Sequence, residues 1–290
     1  MGKGKRLRTK RACEIDMKEI RPDRVYGVST SGYYFLKVTA LICMFLWYFS
    51  FAFYLPLKIP DRAFYLMQLA GNICYPIFAF LVAESYFHTA NKLKHLLIMF
   101  GITLVSEIPY DLIIFEKKFE PEMQNPAGSL TFAFLALILT NINYKKAFEK
   151  LYKKERTRAT LSFFLKVILL CGCGYLCTLL RFEFKWHGVM LVFLFSKIRK
   201  RKLRMLFQLF AVAIFSWLNM KVSLINLANF ISLIPIWLVQ CKHSYSTRFV
   251  KVKKLEFITK LACSKAVKYT ARYFYPITLL GMCTALYFIK

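Results

Sequence analysis

Long apolar runs separated by short clusters of lysine and arginine set the terms on which this chain can fold. The runs fall at about 34–57, 65–88, 95–115, 130–142, 160–180, 188–196, 205–220, 222–240 and 271–289. A helix rising 1.5 Å per residue needs about 20 apolar residues to cross a hydrocarbon core about 30 Å thick. Most of the runs meet or approach that length. The run at 130–142 is short by its apolar count, and the run at 188–196 reaches full length only if it begins near Phe182. The expected fold class is therefore all-α, a polytopic transmembrane helical bundle of about nine spans.

The charge pattern fixes an expected orientation. Lysine and arginine number 43 against 15 acids, a net charge of +28 that in a soluble chain would suggest nucleic acid. Here 58% of the residues are hydrophobic and the cations sit between apolar runs, where the positive-inside rule accounts for them. Counted on alternate sides of nine spans, 33 cations fall on one side and 8 on the other. That split puts the N-terminus in the cytoplasm and the C-terminus outside, whereas merging or dropping a short span is the competing topology. Residues 1–33 then form a basic cytoplasmic arm. Residues 34–290 form the transmembrane domain, with cytoplasmic basic loops near 143–158, 197–204 and 241–270, the last containing a possible amphipathic surface helix, LEFITKLACSKAV. The partner implied is the lipid bilayer, with no nucleic acid. The nine cysteines show no metal-ligand spacing, so no metal is expected. The first 33 residues have no apolar core of the kind a cleaved signal needs.

Polar chemistry concentrates between Gly71 and Leu112, in GNICYPIFAFLVAESYFHTANKLKHLLIMFGITLVSEIPYDL. An ionisable group near the middle of a membrane helix costs roughly 2.5–3.5 kcal/mol on insertion scales, so such groups turn toward a bundle interior or a cavity. Glu84 and His88 are four residues apart and share one helix face. A carboxylate that orients an imidazole suits a general base; a structural pair at a helix end fits the same spacing. Glu107 and Asp111 repeat that spacing around Pro109, a kink residue. With Ser106 they line an outer vestibule or simply end a kinked helix with solvated acids.

PIFAFLVAESYFHTAN followed by SEIPYDL resembles the signature of the TraX family, polytopic membrane proteins whose founding member is associated with N-terminal acetylation of conjugative pilin. LKVTALICM in the first run, WHGVMLVFLFSKIRK and RYFYP fall in the family's order, so the resemblance extends over most of the chain. It implies a bacterial inner or plasma membrane, acetyl-CoA as acyl donor, and a peptide, pilin-like or surface-polymer acceptor. It also implies an Asp-His pair in the first span where this chain has Trp47 and Tyr48. The family's Gly-Arg is Gly71 and Asn72, an arginine early in the third span is Ile98, the histidine after FYP is Thr278, and an asparagine near the end of the eighth span is Gln240.

N-acetylation needs a base, an oxyanion donor and a hold on the CoA phosphates. The expected catalytic residues are His88 as base and Glu84 as its partner. Thr89, Asn91 or Tyr48 would donate to the oxyanion, and Ser106, Glu107 and Asp111 would line the acceptor side. The cytoplasmic lysine and arginine clusters would hold the phosphates. The reading from the other class is a non-catalytic membrane protein of the same family, an accessory or immunity factor, or a small-solute transporter. Convergence of Glu84, His88, Glu107 and Asp111 on one cavity favours an enzyme or transporter; dispersal favours the structural reading.

Overall fold

A computed structural model describes residues 30–148, 154–197, 201–218, 224–245 and 265–289. The expected arm, apart from its last four residues, and the middles of the three basic loops lie outside the described residues, as does most of the expected surface helix. The last three residues of that helix instead open the final long helix.

The described residues are helical throughout apart from turns and one isolated bridge between Gln124 and Phe182. The helices are α1 (Thr30–Phe53), α2 (Asp61–His88), α3 (Lys92–Ile114), α4 (Pro126–Thr140), α5 (Glu155–Leu179), α6 (Lys185–Lys197), α7 (Arg201–Leu218), α8 (Leu224–Ile231), α9 (Leu233–Tyr245) and α10 (Lys265–Ile289), with a single turn at Tyr144–Ala147. The described residues of all nine apolar runs fall mainly on helix. The eighth is divided at Ser232, whose N–H turns back to Asn229 O at 3.2 Å, three residues before Pro235 would interrupt the ladder. Local chemistry sets the starts: the Asn91 side chain accepts from Lys94 N–H, and the Asn125 side chain accepts from Ala127 N–H ahead of Pro126 at the first helical position.

Four helices are long and apolar enough to cross a membrane: the stretch Gly32–Phe53, Asp61–His88, Lys92–Ile114 and Glu155–Leu179. Their outward residues are large and apolar. On α3 these are Leu97, Phe100, Leu104, Val105 and Ile108; on α5, Phe163, Phe164, Ile168 and Tyr175. A soluble protein would not leave such a continuous belt in water. This is a membrane protein whose outer face suits lipid.

Two short helices are the most enclosed. α4 has 15 residues and α6 has 13, about 22 and 20 Å long, and they pack against each other at the centre of the bundle with the second half of α2. Small residues permit the approach. Cys173, Gly174 and Cys177 of α5 turn inward, Gly188 of α6 lies under the Tyr75 hydroxyl, and Gly128 of α4 lies under the ring of Phe182. Buried hydroxyl pairs stitch the layer, Tyr75 to Ser129 at 2.8 Å and Thr103 to Thr131 at 3.0 Å. A side chain at Gly128 has no room unless Phe182 leaves. Gly128→Val is therefore expected to lower stability by about 1–3 kcal/mol, read as a lower unfolding midpoint in lipid nanodiscs; an unchanged midpoint would mean that Phe182 is not fixed.

A second apolar cluster joins Leu41, Met44, Tyr48 and Phe53 of α1 to Tyr110 and Ile113 of α3 and to Leu279 and Met282 of α10. Ile59, Phe115 and Met123 from two connections pack on it. This gathers the connections 54–60, 115–125 and 180–184 at one end of the bundle. The turn 89–91, the end of α6 and the start of α7 lie at the other.

Candidate functional site

The expected site residues divide between those two ends. Along α3, Glu107 and Asp111 lie 15 and 19 residues beyond Lys92, about 22–28 Å away from the turn that carries His88. One end is basic. The other holds seven of the fifteen acids, among them Glu107, Asp111 and Glu183, and is called the carboxylate end below.

At the basic end, Glu84 lies on the buried face of α2 and forms an ion pair with Arg204 of α7. Arg204, which the sequence reading counts among loop charges, is a helical residue only 4% exposed, with its guanidinium over the ring of Phe80 at 5.3 Å. The second oxygen of Glu84 faces His88 Nε2 at 3.7 Å, an electrostatic contact beyond hydrogen-bond range. The His88 side chain is 55% exposed while Glu84 is 2% exposed. The pair therefore bridges the interior and the surface. Thr89 closes α2 through its N–H to Ser85 O at 2.9 Å, and Asn91 spends its side-chain oxygen on the cap of α3. Around this turn Lys94 is exposed, and Lys92 holds its ammonium over the Tyr86 ring at 4.6 Å.

At the carboxylate end, Asn125 donates through its side chain to Thr103 O at 2.8 Å and to Glu107. Its backbone N–H also faces Glu107, at 3.3 Å. Asp111 is fully buried; one oxygen accepts from Glu120 N–H at 2.9 Å and the other has no partner. Lys117, 2.5 Å from Glu120, holds that carboxyl below the usual range and tightens the loop. Ser106 is fully buried, and its hydroxyl has no partner. The Tyr48 hydroxyl lies 3.0 Å from that of Tyr275, and its ring packs edge-on against Tyr110. Tyr48 is therefore with Glu107 and Asp111, and apart from Thr89 and Asn91. Trp47 fills the space beside Gly71.

Two groups at these sites are absent from the sequence reading. Arg204 had a signal: it shares a helix face with Gln208, Val212 and Phe215, all buried. Glu183 had none, because it lies in the short turn between α5 and α6. It accepts from the Tyr110 hydroxyl at 3.3 Å.

A family model described as TraX protein matches residues 33–281. Comparisons with curated proteins and with solved structures give no match.

Proposed function

Because the chain belongs to the TraX family, we propose that it is a multi-pass acyltransferase of a bacterial inner or plasma membrane. It crosses nine times, with the N-terminus and the basic end in the cytosol, where the positive-inside rule puts them. It takes an acetyl group from acetyl-CoA at the basic end and passes it to an amine or hydroxyl of a peptide, pilin-like or polymer acceptor.

The observation that carries this reading is the line Arg204, Glu84, His88. Arg204 pairs with Glu84 inside the bundle, and the second oxygen of Glu84 faces the imidazole at 3.7 Å. That carboxylate biases the ring's orientation and favours the imidazolium formed when the base takes a proton. As the acceptor nitrogen or oxygen bonds to the thioester carbonyl, its proton passes to His88. The carbon–sulfur bond then breaks, and the CoA sulfur leaves with the proton that His88 returns. Thr89 and the amide nitrogen of Asn91, in the turn that follows His88, are the donors for the oxyanion. The substrate's phosphates suit the cations around His88, since Lys94 of α3 and Lys197 at the end of α6 are exposed at the same end, with Lys92 half-buried beside them.

The non-catalytic reading is favoured by two observations. Glu84 and His88 lie at one end of the bundle and Glu107 and Asp111 at the other, the dispersal that a structural role predicts. Trp47 and Tyr48, where the resemblance implies an Asp-His pair, are packed as structural residues at the far end from His88, and the buried ion pair serves equally as a lock between α2 and α7. One assay separates the two. Purified protein in nanodiscs, given acetyl-CoA labelled in the acetyl group and membrane extract as acceptor, is expected to release free CoA and label a product. Folded, inserted protein that does neither would decide for the non-catalytic reading.

A further inference from the structure

Two lysines turn toward each other at the basic end, between α5 and α6. Lys166 lies inside the apolar run at 160–180, about 9 Å from its start. It shares a stripe of α5 with Ser162, Cys173 and Cys177, which are buried, and is itself half-buried. Lys197 ends a stripe of α6 that runs through Trp186, Met190 and Phe193. That stripe starts on α5: a Cβ at Gly174 would stand 3.1 Å from the Cβ of Trp186.

The contact sets the depth of both lysines. Counted from it, Lys166 is eight residues back along α5 and Lys197 is eleven on along α6, about 12 and 16 Å toward the basic end. Helical side chains lean toward the N-terminus of their own helix. The two helices run in opposite directions, so Lys166 leans out toward the basic end and Lys197 leans back into the bundle. The Lys197 ammonium is held there over the Phe193 ring, at 4.7 Å. The charge of Lys166 acts on it.

Neither lysine has an ion pair among the described residues. Two cations brought together beside an apolar run repel each other, a cost that an anion between them offsets. The open approach to them is apolar. Phe163 and Val167 flank Lys166 and are 64% and 40% exposed, and Cys171 and Tyr175 continue the Val167 stripe. An anion that arrives from that side carries an apolar tail.

We propose that Lys166 and Lys197 form a lateral site for an anionic phospholipid. Its phosphate lies between the two ammoniums, and its acyl chains follow Val167, Cys171 and Tyr175. A zwitterionic lipid brings its own cation and leaves the pair uncompensated. The site is independent of acyl transfer, because it opens to lipid on the α5 side of α6. The opposite side of α6 carries Phe195, 6.0 Å from Phe80 of α2, and leads to Arg204 and Glu84.

The test is native mass spectrometry of the full chain released from nanodiscs of equal phosphatidylglycerol and phosphatidylcholine. Phosphatidylglycerol should be the lipid retained. One lysine near an anionic lipid is worth roughly fivefold in affinity. Lys166→Gln and Lys197→Gln should therefore each lower the preference about fivefold, and the double variant about 25-fold. Lys94→Gln, an equal loss of charge at the same end, should leave it unchanged. These variants relieve repulsion, so the double variant's unfolding midpoint in phosphatidylcholine should stay at or above the parent's. A preference that is absent from the parent, or that survives in the double variant, would overturn the proposal. Labelled CoA that binds the parent but not the double variant, with lipid retention unchanged, would overturn it too by assigning the pair to a soluble phosphate.

Discussion

Replacing Arg204 with methionine is expected to destabilise the bundle by about 3–5 kcal/mol. Arg204 and Glu84 are 4% and 2% exposed, so the variant leaves a carboxylate inside the bundle without its guanidinium. His88, at 3.7 Å and more than half exposed, is too far out to take over. The cost comes from stranding the charge and not from the pair's own worth. Removing both charges should therefore recover most of it: Glu84→Leu combined with Arg204→Met is expected to fall near the parent, a strongly non-additive cycle. Unfolding midpoints of the parent, two single variants and the double variant in nanodiscs measure this directly. A loss below about 1 kcal/mol for Arg204→Met would mean that Glu84 is already neutral or reached by water, and the line to His88 would lose its anchor.

The second large effect falls on activity. His88→Ala is expected to reduce acetyl transfer by about 10²–10⁴-fold, the usual contribution of a positioned base, while expression, insertion and midpoint stay at parent values because the side chain is largely outside the packed interior. Glu84→Gln should lose less activity than His88→Ala, since it removes the orienting charge and keeps the base, but it should also disturb stability through Arg204. Full transfer by His88→Ala would remove His88 from the mechanism even if the chain proves to be a transferase.

The helices were legible in the sequence because long apolar runs announce them: the described residues of each run fall mainly on helix, and four of these helices are long and apolar enough to cross a membrane. The break at Ser232 was not, since a single turn inside an apolar segment leaves the hydropathy unchanged. At the site, Glu84 and His88 could be paired from a spacing of four. Arg204 could not be joined to them, because α2 and α7 are 120 residues apart in that pair, and a helical spacing rule says nothing across elements. Tyr48 was grouped with Thr89 and Asn91 as a donor by chemical type, yet chain topology takes it to the opposite end. Glu183 escaped notice for a related reason: a lone acid in a five-residue turn reads as solvated, and only the bracing by Gln124 and Phe182 turns it inward.

The short α4–α6 pair, sheathed by helices of 23 to 28 residues, has an electrical consequence. In an energised membrane, one elementary charge crossing the full potential exchanges about 2.3 kcal/mol per 100 mV. Where polar ends reach inward over a core of only about 20 Å, that voltage drop is concentrated in the core. Glu183 borders it on one side and the Arg204–Glu84 pair borders it on the other. A charge set against that short core, such as the Arg204–Glu84 pair, would therefore sit in a steeper field than one at the ends of the long helices.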